Sequence, residues 1–572
     1  MNWLKQHKIS LFLLVFLAVF FCIYSYFNLV VIAPQNDLLL AGETNVIKFS
    51  SPDETANYFW IKQIAQGEPL YYFEELNGVA TNLIHLRSVN TVAGKITPGS
   101  FIGMIVLYGF IAKLFGLWII PFLTPLFSIL GLLFFYLLIK KIFKHSAIAL
   151  ISTSLLAFFP AWIYYSARGM YHNILFISLV IIGVHLLLQV LTQNNYLKLK
   201  KINFNFQFIL YFLSGLIIGL AVITRSSEVV WLALTVLLIF IFNFKKIIWS
   251  GFIFFLAGLW IPALILFYYN QISYGAFISA GYRSIIPNGD IIQAATSGLL
   301  FKIFITPFGF NFKVMLINAF NYLYTLLPYW SVPAIIGGFL FIILPTHFIK
   351  IDYKKRILYF LYLLFITIYL LIFYGSWQFS DRIDSQFLSL GTSYLRYWLP
   401  IYIIALPFVA TLIWQLSGIF IPNISRKKLY QNIIVFILVV LLFMPSINLV
   451  FRQTDESLFL LKNLSEYRIK SNLINQVVGP NDVIIIYKQA DKIFFPERTK
   501  IITALVVPAD YQAVKNLIKI NNVYFYTYAS PEAVASISRQ QFEPYGLQIT
   551  QGQKIFSHDW LYQVEKIQNE KL

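Results

Sequence analysis

Cysteine is almost missing: Cys22 is the single one among 572 residues. One thiol excludes an internal disulfide framework and any cysteine-built metal site. Charge is scarce too. Only 12% of residues are Asp, Glu, Lys or Arg, against roughly 25% in an ordinary soluble domain. With 59% hydrophobic residues and a mean hydropathy of +0.72, that scarcity excludes a soluble globular chain. Acids are the rarer sign, 24 against 43 Lys and Arg. The net charge of +19 would point to nucleic acid in a soluble protein, yet no basic-aromatic patch stands apart from the apolar pattern. No internal repeat or low-complexity linker is present, and no His/Asp cluster has metal-ligand spacing.

What the chain does have is long apolar runs. The first, about Ile9 to Ala33, follows the basic stretch Met1 to Lys8. It exceeds a signal-peptide core of about 7–15 residues and has no small-x-small cleavage site, so it reads as a retained signal anchor. Further spans are expected at about 117–139, 147–166, 172–192, 208–224, 228–244, 247–269, 330–349, 357–374, 394–418 and 430–450. With the anchor they make about eleven transmembrane helices of a polytopic α-helical membrane protein. The run 99–116, led by Pro98-Gly99 and broken by Lys113 and Gly116, is read as an interfacial helix.

Positive charge supports that count. With the N-terminus cytoplasmic, the inside loops hold Lys140, Lys141 and Lys144, then Lys198, Lys200 and Lys201, then Lys245 and Lys246. Lys350, Lys354, Lys355 and Arg356 follow, and then Arg426, Lys427 and Lys428. Counting 99–116 as a span would place every later cluster outside, against the positive-inside rule. The expectation is therefore a transmembrane domain over 1–450, with 34–116 as the first outer loop, and an extracytoplasmic domain over 451–572. The latter alternates β-rich runs (483–487, 523–526) with helical patterns, one capped by Asp510 and one opened by Ser530-Pro531-Glu532. It reads as a small α/β domain in which His558-Asp559 is a solvated turn.

With this topology, polar residues that interrupt the apolar runs collect on the outer face. They are Arg168 after Tyr164-Tyr165-Ser166, Thr224-Arg225-Ser226-Ser227-Glu228, Arg283 and Asp290, Asp381, Arg382 and Asp384, and Tyr394-Leu395-Arg396-Tyr397. Polar groups near hydrocarbon are costly and mark substrate paths. Arginine's planar fork suits a phosphate. At the start of the first outer loop stands Ser51-Pro52-Asp53-Glu54, two adjacent acids. Each residue also has a plain structural reading. Ser51-x-x-Glu54 is a capping box, with Asp53 favouring the helix dipole. Arg168, Arg225 and Arg396 are placed to snorkel to headgroups. His85, Arg87 and Ser88 fit ordinary loop positions, and His172 an interfacial one.

The order of these motifs resembles the membrane glycosyltransferases of the GT-C fold, in particular the protein O-mannosyltransferase and aminoarabinose transferase group. The resemblance rests on a signal anchor followed by Ser51-Pro52-Asp53-Glu54-Thr55-Ala56-Asn57-Tyr58-Phe59-Trp60, on Gly219-Leu220-Ala221-Val222-Ile223-Thr224-Arg225, and on Arg396-Tyr397-Trp398-Leu399-Pro400. It covers about residues 1–450. The Tyr-Tyr-Ser-x-x-Arg pattern at 164–169 is out of register, and Thr97-Pro98-Gly99-Ser100 stands where the family has His-Pro-Pro. The tryptophan-rich oligosaccharyltransferase signature is absent from the C-terminal domain.

The resemblance implies inverting transfer of a sugar from a polyprenyl-phosphate donor to an acceptor that is protein, lipid or glycan. Asp53 would be the base, with Glu54 its alternative or partner. Arg225, Arg396 and Arg168 would bind the donor phosphate and make a metal dispensable. His85, Arg87, Tyr394, Arg283 and Asp381 would be further substrate contacts. The competing readings are a polytopic transporter or lipid-linked glycan flippase, and a non-catalytic cell-envelope assembly protein.

Overall fold

The structure, a computed structural model, describes residues 8–32, 47–192, 203–279, 281, 300–345, 351–378, 388–419, 427–452, 457–487 and 490–567. Arg283, Asp290, Asp381, Arg382 and Asp384 lie outside the described residues.

The chain divides into two compact units. The first comprises Met1–Asn28, Ile120–Tyr268 and Ile285–Phe459, and is helical. Among the described residues, eight helices are long and apolar enough to cross a bilayer: Leu11–Val30, Leu117–Phe143, His172–Thr192, Gln207–Thr224, Trp249–Tyr274, Tyr353–Tyr374, Leu399–Ile419 and Lys428–Arg452. The chain is a multi-pass membrane protein. Two further apolar stretches are bent pairs, Ser146–Phe158 with Pro160–Ser166 at 58° and Phe312–Thr325 with Pro328–Ile343 at 93°. Ser226–Phe242 is a shorter apolar helix.

Each expected span thus has a helical counterpart, but the run 147–166 is not one straight rod. Phe159 sits extended, with φ −67° and ψ 128°, between the two pieces. The residue before a proline is pushed out of the helical region, and Pro160 then opens the next helix. Arg356 also departs from its expected role as a loop charge. Its side chain is buried and donates to the carbonyls of Phe341 (3.2 Å), Leu344 and Ile351 (3.0 Å). It satisfies orphan carbonyls at the end of helix Pro328–Ile343.

The second unit comprises Leu29–Ile119, Tyr269–Ser284 and Leu460–Leu572. It gathers the first loop and the C-terminal segment into one body, which the linear division at residue 450 did not anticipate. Strands β1 (Tyr72–Phe73), β2 (Val89–Val92) and β3 (Lys95–Pro98) form a small antiparallel sheet in the order β1-β3-β2. The larger sheet contains β4 (Val483–Ile486), β5 (Ile501–Ile502), β6 (Val523–Thr527), β7 (Leu547–Phe556) and β8 (Asp559–Lys566). Its order is β5-β4-β6-β8-β7; β5, β4 and β6 are mutually parallel, and β8 runs antiparallel to both of its neighbours, β6 and β7.

β4 is buried along its whole length, as an all-apolar run covered on both faces should be. Val483, Ile485, Val523 and Phe525 pack on one face with Ala80 and Ile84 of the first loop. Ile484, Ile486 and Tyr526 pack on the other with Ala56 and Leu86. The first loop therefore supplies core to both faces of the sheet. Two helix starts behave as the sequence predicts. The Asp510 side chain accepts from the Val507 amide (2.9 Å), and the Ser530 hydroxyl accepts from the Ala533 amide (3.3 Å). Asp559 does not sit in a solvated turn. It is buried, accepts from the Tyr526 hydroxyl and pairs with Lys470 at 2.9 Å.

Candidate functional site

In the second unit the acidic pair opens helix Pro52–Gln66, which Gly67 closes in the left-handed region at φ +86°. Pro52 at the first helical position starts it, since a missing amide costs nothing there. Ser51 is the N-cap by backbone, but its side chain makes no capping bond, so the expected capping box is not formed. The hydroxyl that reaches Glu54 is that of Ser50, at 3.3 Å. Glu54 is buried, whereas Asp53 is half-buried.

Asp53 accepts a hydrogen bond from the Ser88 hydroxyl. Ser88 holds a left-handed backbone at φ +63°, uncommon for a residue with a side chain. Such strain persists where the surroundings over-determine it, and it concentrates at functional sites. Here the surroundings are visible. Ser88 leads into β2, and its carbonyl accepts from the Gly99 amide at 3.1 Å. A methyl group at Gly99 would stand 2.7 Å from the Ser88 carbonyl carbon. Asn57, on the same helix as Asp53, accepts from the Ser100 hydroxyl at 3.0 Å. The strand pair and Pro98-Gly99-Ser100 thus orient the acidic turn.

The neighbouring residues also hold the first loop in place. Arg87 is bound to Asp491 through Nε (2.9 Å) and Nη2 (2.5 Å). The His85 ring nitrogen lies 3.0 Å from the Leu86 carbonyl, and its backbone bridges Ile502. Both tie the first loop to the C-terminal sheet. Lys48 is wholly buried, pairs with Glu497 and donates to the Phe495 carbonyl at 3.4 Å. Burial lowers the pKa of its ammonium, and Glu497 opposes that shift.

In the first unit three arginines from distant parts of the chain come together, all buried. Arg168 donates to the hydroxyls of Tyr164 and Tyr171, the latter at 3.1 Å, and lies 5.1 Å from the Tyr171 ring centre. Arg396 lies over that same ring at 4.8 Å and over Tyr397 at 5.0 Å. Arg225 lies over Tyr397 at 4.6 Å. The result is a continuous array, Arg168–Tyr171–Arg396–Tyr397–Arg225. Ring faces attract cations, and the attraction grows where water is excluded.

The array is held from behind. Asn28 of the first helix accepts from the Gly169 amide (2.7 Å) and donates to the Ser166 carbonyl (2.9 Å). Thr124 donates to the Gly169 carbonyl. Asn173 donates to the Arg396 carbonyl at 3.0 Å, and Ser393 accepts from the Arg396 guanidinium at 2.8 Å.

Arg225 is braced by its own segment. It pairs with buried Glu228 at 2.9 Å and donates to the Tyr374 hydroxyl at 2.9 Å. Glu228 also accepts from Tyr374 (2.7 Å) and Trp231 (2.5 Å). Its charge is therefore largely compensated within the fold. Tyr394 shares the short helix Ser393–Tyr397 with Arg396, but it packs on Tyr322 and accepts from Asn318 at 2.9 Å.

Tyr171 and Tyr374, which link and brace the arginines, carried no motif. Spacing held part of the signal: Tyr164 and Tyr171 stand four before and three after Arg168, and Glu228 three after Arg225. Tyr374 had none. Among the described residues no group of three or more His, Cys, Asp or Glu could hold a metal ion.

No protein-family model and no curated protein matches the sequence. Solved structures do match in fold. An oligosaccharyltransferase from Archaeoglobus fulgidus, tethered to an acceptor peptide, aligns with a TM-score of 0.51 and 11% identity. The alignment covers 92% of this chain and 70% of that one. ArnT from Cupriavidus metallidurans, bound to undecaprenyl phosphate, aligns with a TM-score of 0.48 and 9% identity, over 98% of each chain. The likeness is one of fold: this chain has the GT-C fold that the order of its motifs implied.

Proposed function

We propose that the protein is an inverting glycosyltransferase that moves a sugar from a polyprenyl-phosphate donor to an acceptor on the outer face of the membrane. The observation that carries the reading is the array of Arg168, Arg396 and Arg225 joined through Tyr171 and Tyr397. Burying one guanidinium is costly, and gathering three from separate segments is a cost that stability alone does not explain. An anionic phosphate recovers it through charge-assisted hydrogen bonds.

The bond changes follow. The acceptor hydroxyl passes its proton to Asp53 as its oxygen attacks the anomeric carbon. The bond from that carbon to the donor phosphate oxygen breaks, and its electron pair leaves with the polyprenyl phosphate. Guanidinium groups stabilise the charge that develops there, so the reading asks for no metal. Asp53 stands in the first turn of its helix and accepts a hydrogen bond from the Ser88 hydroxyl. The reading carries the orientation drawn from loop charge, with the N-terminus cytoplasmic and the 451–572 segment outside.

The test is transfer from a labelled polyprenyl-phosphate sugar by the full chain in lipid nanodiscs. Asp53→Asn should lower turnover roughly 100-fold or more while leaving insertion and thermal unfolding unchanged. Wild-type turnover in that variant would remove Asp53 from the chemistry. Binding with counter-transport and no transfer would make the protein a flippase instead.

A further inference from the structure

The helical unit holds a feature that sugar transfer does not use. At the break between Phe312–Thr325 and Pro328–Ile343 the chain turns by 93°. Leu323 before the turn and Trp330 just after it line one cavity of about 330 Å³, together with residues of Tyr353–Tyr374 and Leu399–Ile419. Along Pro328–Ile343 its wall is a stripe with a four-residue step: Trp330, Ala334 and Gly338, from the largest side chain to none. Gly337 brings this helix against Leu399–Ile419, since a methyl group there would stand 2.0 Å from the Phe408 carbonyl oxygen. The small residues beside that contact leave the space open.

The cavity has a closed side and an open one. Phe159, Leu406 and Val409 of its wall are buried, whereas Ile335 and Phe339 are 58% and 62% exposed. On a spanning helix that is apolar all round, exposed residues face hydrocarbon, so the mouth opens into the bilayer. Apolar walls exclude water, and an empty space of this size is costly to keep. A cavity of about 150 Å³ admits benzene, so this one has room for roughly a dozen carbons.

One polar atom says which apolar molecule fits. Three residues of the wall carry a polar side-chain atom: Trp330, Ser331 and Tyr402. The Ser331 hydroxyl donates to the Leu323 carbonyl, and the Tyr402 hydroxyl to the Tyr322 carbonyl at 2.6 Å. The indole N–H of Trp330, a residue only 2% exposed, has no partner among the described residues. Its ring is set edge to face on Phe159, with centroids 5.2 Å apart. A buried N–H left unpaired is costly, and an acceptor brought by a ligand relieves the cost. An isoprenoid tail carries no acceptor, whereas a fatty acyl ester carries a carbonyl at the head of its chain. Trp330 stands in the first turn of its helix, at the end of the span, where tryptophan meets the polar boundary of the bilayer. Phe339 lies about 13 Å further along the axis. We infer that the cavity holds one acyl chain of a bilayer glycerophospholipid, whose ester carbonyl accepts from Trp330. The inference rests on the membrane-spanning fold and not on the glycosyltransferase reading.

The experiment is native mass spectrometry of the full chain in detergent micelles, titrated with dioleoyl phosphatidylglycerol or with its dioleyl ether analogue. The analogue keeps the chains and the headgroup and lacks the carbonyls. Wild type should bind one ester lipid roughly 2- to 10-fold more tightly than the ether lipid. Trp330→Phe keeps a ring in place and should bind both at the ether lipid's level. Ala334→Leu fills the stripe and should weaken both. The ester preference is read in the wild type alone, so the test stands even where a variant fails to fold. Equal binding of the two lipids by wild type, or an undiminished ester preference in folded Trp330→Phe, overturns the assignment. One-for-one displacement of the ester lipid by undecaprenyl phosphate also overturns it, and gives the cavity to an isoprenoid tail.

Discussion

Gly99 is a residue whose side chain is a single hydrogen, yet it should control the acidic turn. A Cβ there would meet the Ser88 carbonyl carbon at 2.7 Å, the Ser88 oxygen at 2.8 Å and the Val89 nitrogen at 2.9 Å. All three are backbone atoms in a paired strand, where Val89 lies opposite Pro98, so none can rotate away. Gly99→Ala must push β2 from β3 and move Ser88, whose hydroxyl holds Asp53. Overpacking of this kind costs about 1–3 kcal/mol. Loss of a hydrogen bond to a charged group costs about 1.5–3 kcal/mol more. If Asp53 takes the acceptor proton, kcat/KM should fall roughly 10- to 100-fold, with unfolding lowered by a few degrees. Ser88→Ala is the companion variant. It removes the hydroxyl without touching the backbone, and should give the kinetic loss with a smaller fall in thermal stability than Gly99→Ala, because the overpacking cost is absent. Turnover of labelled donor in nanodiscs, with unfolding followed in parallel, reads both. Wild-type turnover in Gly99→Ala would refute the link from strand pair to acid.

Two further outcomes concern buried charge. Glu228→Gln leaves the Arg225 guanidinium without the carboxylate that pairs with it, and should destabilise the helical unit by about 3 kcal/mol, measured by thermal unfolding in nanodiscs. Unchanged unfolding would mean that the charge is compensated elsewhere. Lys48 gives a pH dependence. Its pKa is lowered by burial, so folding is penalised while the ammonium is charged. The penalty fades as pH rises through the lowered value toward about 10.4, the unfolded one. Stability against denaturant should therefore gain an alkaline rise that Lys48→Met abolishes, and an identical pH profile in that variant would contradict the assignment.

Much of the membrane pattern was legible because a span must be long and apolar, and composition alone records that. Helix breaks were less so: Pro160 was visible, but its 58° consequence depends on the next helix finding a packing partner. The discontinuous second unit was not legible. Ala80 and Ile84 meet Val483 and Ile485 across some four hundred residues, and no local period encodes such a meeting. At the site, the arginines stood out because charge in an apolar run is costly. Tyr171 and Tyr374 did not, since tyrosine is common throughout the chain. Ser51 illustrates a pattern that was right in kind and wrong in detail: a serine does reach Glu54, but it is Ser50.

The shared core of the second unit has a consequence in time. Helix Pro52–Gln66 leaves the ribosome early, yet Ala56 finds Ile484, Ile486 and Tyr526 only after some four hundred further residues have been made. Until then its apolar flank has no sheet to lie on, and neither Arg87 nor Lys48 has its acid. A nascent chain halted anywhere before residue 460 would carry the candidate base in full and still lack the surface that sets it. If Asp53 is the base, synthesis itself acts as a safeguard, because the acidic turn is set only when the far end of the message has been read.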